Sequence, residues 1–172
     1  MAIQINTSGS SIGVKTPHAD LNFNRKAKEL GGSWAPAVRE WRFDVRNEAL
    51  VRAALKRSYG TDGTTEADVV SVQMHVDKSE WQGPVSVAGR LIARAFGRDS
   101  GATLADGVVL LSGKVTSGGS RANWRTVVDG VVLLHDVPRK VAEKLIDGKY
   151  TGVSDASIFD PTAAVEDDDE ED

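Results

Sequence analysis

The apolar positions of this chain change period once, near residue 68. Before that point they recur at helical spacing, interrupted by short extended runs. Ile12-Gly13-Val14-Lys15 reads as a strand that stops at Pro17. Phe23, Ala27 and Leu30 share one face of a helix over residues 20–30, closed by Gly31-Gly32. Trp34, a turn around Pro36 and Trp41-Arg42-Phe43 predict a hairpin with Trp41 and Phe43 on one side. Asp44 or Asn47 can cap a second helix, whose stripe is Leu50, Val51, Ala54, Leu55 and Tyr59 and whose stop is Gly60. Residues 1–10 are small and polar and are expected to fray, leaving a β-α-β-β-α order.

Past the turn-forming stretch 60–67 the period becomes two. Val70, Val72, Met74 and Val76 alternate with Ser71, Gln73 and His75. Further strands are expected over 84–96, 107–116 and 123–134, the last bent or broken at Asp129-Gly130. Pro138 then opens a helix with Val141 and Leu145 inward and Gly148 at its end. The expected fold is therefore α+β. Residues 1–62 form a βαββα unit and 66–150 a ββββα antiparallel-sheet unit, which can pack as one domain. Residues 151–172 are expected to be a disordered tail, because Glu166–Asp172 is seven adjacent acids with nothing to bury.

Composition sharpens this picture through charge. The chain has 172 residues and net charge −4, but all 21 Lys and Arg lie in residues 1–150 beside 16 of the 25 acids. A body of +5 is joined to an acidic tail, so the body can attract phosphate. There are no cysteines, which excludes disulfides and thiolate chemistry and suits a cytoplasmic setting. No apolar run approaches a membrane span, and the N-terminus lacks a signal-peptide pattern.

A catalytic reading finds little. His18, His75 and His135 are scattered, and there is no phosphate-binding glycine loop and no nucleophile elbow. No enzyme activity, metal or nucleotide cofactor is expected. The basic residues say more. Arg90 and Arg94 are four apart on one strand, so they are expected to share a cationic face opposite Val85, Val87, Leu91 and Ala93. Arg98 follows in a turn. Lys114 precedes Ser117-Gly-Gly-Ser120, and Arg121, Trp124 and Arg125 come after it. A Gly-Ser loop can cradle an anion, arginines add charge, and tryptophan can stack on a base. A plain hairpin loop with Trp124 in the core is the other reading. Arg39, Trp41 and Arg42 are secondary candidates, with packing of Trp41 on the helices as their alternative.

The ββββα order of residues 68–147, and above all Gly130-Val-Val-Leu-Leu-His-Asp-Val-Pro-Arg-Lys-Val-Ala-Glu-Lys-Leu145, resembles the Whirly-like and positive-cofactor-type single-stranded-DNA-binding domains. That resemblance implies a curved sheet that binds the strand, with helices that support a homodimer or higher oligomer. Residues 21–59, with Leu30-Gly-Gly-Ser-Trp34 and Trp41-Arg-Phe43, resemble the HARP modules attached to some DNA helicases. The acidic end is similar to those of bacterial and phage single-stranded-DNA-binding proteins, though it ends Glu170-Glu171-Asp172 where those commonly end in an aromatic residue. Together these imply a non-enzymatic, sequence-tolerant single-stranded-DNA-binding protein, suited to replication, recombination or DNA transfer by a phage or mobile element. The competing expectation is a protein-interaction module or inhibitor that draws basic partner proteins to its acidic tail.

Overall fold

The computed structural model describes residues 2–162. The chain is α+β, built from antiparallel sheets and three α-helices. The first unit has one strand more than its sequence pattern suggests. Residues expected to fray form β1 (Gln4–Ser8), which pairs along its length with β2 (Ser11–Lys15). Gly9, at φ +56°, makes the turn between them. Ile3 and Ile5 supply the reason, because both pack against the core of this unit. Helix α1 (Leu21–Glu29) is capped by the Asp20 carboxylate, which accepts from the Phe23 N–H at 2.8 Å. Strands β3 (Ser33–Ala35) and β4 (Glu40–Asp44) form the expected hairpin, and α2 (Glu48–Tyr59) ends on left-handed Gly60.

The sheet order is β1-β2-β4-β3. Its core joins Ile12 and Val14 to Phe23, Trp41, Phe43, Val51 and Leu55. Each such side chain contributes roughly 1.5–3 kcal/mol through burial. Trp41 is 6% exposed and stacks on Phe43, so its candidacy as a binding residue is corrected to a core role.

The second unit also has more strands than expected. Strand β5 runs from Val69 to Trp81. The strand anticipated over 84–96 is instead a hairpin of β6 (Val85–Val87) and β7 (Arg90–Ala95). Ala88 and Gly89 both adopt positive φ, the shape of a two-residue turn that matches strand twist. A short β8 (Ala102–Leu104) completes the sheet β6-β7-β8. The long sheet has the order β11-β5-β10-β9, from β9 (Val108–Gly119), β10 (Trp124–Pro138) and β11 (Val153–Ile158).

Strand β10 is not broken at Asp129-Gly130. Gly130 faces Gly113 across the ladder, and a Cβ on Gly130 would collide with the Ser112 carbonyl oxygen. The glycine allows close strand approach rather than ending the strand. Helix α3 (Arg139–Ile146) follows, as Pro138 predicts. Strand β11 corrects the expectation of a tail from residue 151. It pairs with β5, and Val153 and Ala156 pack against the core. The acidic run 166–172 lies outside the described residues.

Alternation along the long sheet separates two faces. Val72, Met74, Val76, Val128, Val132 and Leu134 pack inward against β6, β7 and α3. Gln73, His75, Asp77, Ser79 and Trp81 take the opposite positions on β5. The two units meet at Asp20 and Arg90, which form a β-bridge, and the Leu21 N–H donates to the Gly89 carbonyl at 2.7 Å. No helix among the described residues is long and apolar enough to cross a membrane.

Candidate nucleic-acid interface

Aromatic and cationic side chains converge at one end of the long sheet. Trp81, the last residue of β5, lies directly opposite Arg125 on β10. It occupies the polar face and is 57% exposed. The Arg125 guanidinium covers its ring at 4.3 Å from the centroid, a cation–π stack. Gln82, at φ +47°, turns the chain away, and its N–H donates to the Trp124 carbonyl at 3.0 Å. The stack is therefore held at the mouth of a closed ladder.

The β9–β10 loop forms the tip. Gly119 needs its positive φ of 87°, and a Cβ there would collide with the Asn123 carbonyl oxygen. Ser120 N–H donates to that same carbonyl, and Asn123 N–H donates to Ser120 Oγ. The expected anion cradle is corrected at Ser120, because its N–H is spent inside the loop. Arg121 stays exposed beyond it. Trp124 is half-buried on the inward side of the strand. It serves the loop base more than an open platform.

A second aromatic–arginine pair stands beside this tip. Phe96 is 74% exposed, and the Arg94 guanidinium lies 5.9 Å from its ring centroid. The turn after Phe96 carries Arg98, which pairs with Asp99. Ser117 of β9 fixes this turn. Its hydroxyl donates to the Arg98 carbonyl at 2.6 Å and accepts from the Gly101 N–H at 3.0 Å. The Ala95 N–H donates to Thr126 Oγ1, next to Arg125. Phe96, Arg94 and Arg98 thus lie at this end of the sheet on its inward-packed side, with Asp99, whereas Trp81 and Arg125 lie on the opposite, polar face.

Other sequence candidates lie elsewhere. Arg90 is only 7% exposed, so the expected cationic face shared with Arg94 is corrected. A bulge between Val85 and Ser86 in the β6–β7 pairing breaks simple alternation. Arg90 points inward, where Nη1 donates to the His135 carbonyl at 2.9 Å and Nη2 to the Asp106 carbonyl at 3.2 Å. Burial holds its pKa down to about 10. Lys114 is exposed in mid-sheet opposite Asp129, about 14 Å along the strand from Arg125. Asp129 also meets His75 at 3.7 Å, so Lys114 sits in mixed charge. Arg39 pairs with Asp106 just before β9, roughly 40 Å of strand from the tip. Arg42 pairs with Glu40.

Trp81 and Phe96 are the residues that sequence reading missed. A signal for Trp81 is present in the chain: it continues the polar phase His75, Asp77, Ser79, where a tryptophan is out of place. Among the described residues no group of three or more His, Asp or Glu is placed to hold a metal. No family model matches this chain, and neither a curated protein nor a solved structure matches it.

Proposed function

We propose that this protein binds single-stranded nucleic acid, DNA in the first instance, through the tip of its long sheet and without catalysis. The observation that carries the reading is the exposed Trp81 ring stacked by Arg125. An unpaired base can extend such a stack, whereas a base inside a duplex has both faces covered. Phe96 with Arg94 offers a second stacking position, and Arg98 and Arg121 offer charge to the connecting phosphates. The acidic run 166–172 would compete with nucleic acid for these cations. A cytoplasmic role in replication, recombination or DNA transfer, with a homodimer or higher oligomer as the working form, accords with this chemistry.

Exposed Val109 and Leu111 on the edge strand β9 favour a second reading, a protein-interaction module. The four tryptophan indole N–H resonances distinguish the two. On addition of an oligothymidylate, the first reading predicts that the Trp81 indole shifts most and that buried Trp41 stays still. No shift at any indole at low ionic strength would remove the nucleic-acid reading and leave the interaction module.

A further inference from the structure

A different site lies at the junction of the two units. A cavity of about 500 Å³ opens between the end of β2, the end of α2, the 61–67 connection and the start of β5. Its volume falls within the range of small-molecule sites, which occur preferentially at such junctions. One wall is aromatic. Tyr59 and His18 have ring centroids 5.0 Å apart, and the Tyr59 hydroxyl donates to the His18 carbonyl at 3.0 Å. The His18 side chain is only 7% exposed, and its Nδ1 has no hydrogen-bond partner. A polar ring buried this deeply beside a cavity is uncommon without a role.

Two carboxylates line the other walls, and one of them, Asp136, is within electrostatic reach of the buried Arg90 guanidinium. Asp136 lines the cavity from a bulge in β10, where register with β5 shifts between Leu134 and Val137. Its φ is +57°, a conformation disfavoured for a side-chain-bearing residue. The flanking backbone holds it there. The His135 N–H donates to the Gly107 carbonyl at 2.9 Å, and the His135 carbonyl accepts from Arg90. Glu66 adds a second carboxylate from the connection. That connection is built rather than loose. Thr61 Oγ1 donates to the Thr65 carbonyl at 2.6 Å and accepts from the Gly63 N–H. Among the described lining residues there is no lysine or arginine, and Ile3, Pro17 and Val69 give apolar surface.

We propose that this cavity binds a small organic cation, an amine or guanidinium compound, with Asp136 and Glu66 as counter-charges and the Tyr59–His18 pair as its aromatic wall. Carboxylates beside aromatic rings are the usual chemistry for holding such cations. Burial pushes the His18 imidazole down to about 3, so at neutral pH it is uncharged and does not repel the ligand.

The test is an amide NMR titration of the full chain with agmatine and, separately, tetramethylammonium. Butane-1,4-diol and acetate serve as neutral and anionic controls. The proposal expects saturable shifts at residues 61–66 and Asp136 with at least one of the cations and with neither control. Asp136→Asn keeps a side chain that tolerates left-handed backbone, and Glu66→Gln alters only the surface connection. Each should weaken binding at least about tenfold; the melting temperature holds in Glu66→Gln, and Asp136→Asn, which also takes a counter-charge from buried Arg90, is titrated where its amide spectrum shows it folded. Shifts confined to residues 166–172, equal shifts with the diol, wild-type affinity in both variants, or no shift up to about 10 mM of either cation would each overturn it.

Discussion

The Arg125 guanidinium lies over the Trp81 ring, 4.3 Å from its centroid, and the two residues are direct partners across the β5–β10 ladder. Register therefore fixes the pair. A slip of one residue would send one member to the buried face.

Trp81→Ala should weaken binding to single strands by roughly 1–3 kcal/mol and leave the salt dependence nearly unchanged, because stacking releases little counterion. Its melting temperature should stay close to wild type, since the ring is already largely in water. Trp124→Ala should do the reverse and lower stability by about 1–2 kcal/mol with a smaller effect on affinity. Fluorescence titration and thermal melting of both variants check this.

Arg94→Ala, Arg98→Ala and Arg121→Ala should each weaken binding to every sequence alike. Each should flatten the slope of log affinity against log salt by about 0.7 for every phosphate left without its cation. Removing residues 166–172 takes away seven acids and should tighten binding most at low salt. Titrations across a salt series give both numbers.

Arg90→Met should cost about 3 kcal/mol of stability, because it leaves the His135 and Asp106 carbonyls without their charged donor. The salt slope should not change, since Arg90 is closed off from solvent. A flattened slope in a folded Arg90 variant would contradict its structural role.

His18 predicts a pH dependence. Its folded pKa is pushed down to about 3 from an ordinary 6.5 by burial, with Arg90 adding repulsion. The unfolded chain therefore binds the extra proton across that window. Stability conferred by neutral His18 is intact above about 6.5 and falls as pH drops toward 3, by up to about 1.4 kcal/mol per unit. Chemical denaturation of His18→Gln should show a shallower slope between pH 6.5 and 5, above the range where most carboxylates titrate.

Periodicity makes the helices legible, along with the β3–β4 hairpin and the inward face of β5, because Phe23, Val51 and Met74 each bury where their spacing puts them. It fails where backbone detail decides. Ala88-Gly89 converts one apparent strand into a hairpin, and the accompanying bulge turns Arg90 inward. Residues 4–8 and 153–158 are largely polar, and they become strands because β2 and β5 offer edges to pair with. The site is legible as a concentration of arginine around the Gly-Ser loop. Of its aromatic members, Trp81 is legible as a tryptophan in the polar phase of β5, whereas Phe96 is not, since it lies just past the end of β7 where alternation no longer says which side a ring takes.

Binding of single strands at the Trp81 tip is tested most plainly by a salt-resolved titration of the intact chain with three probes. These are a single-stranded oligothymidylate, its duplex with oligodeoxyadenylate, and oligouridylate. The single strands should quench tryptophan fluorescence saturably, the duplex should bind more weakly, and affinity should fall linearly on a log–log scale with salt. Equal affinity for duplex and single strand, or no binding at low ionic strength with residues 166–172 present or removed, would contradict single-strand binding at this tip.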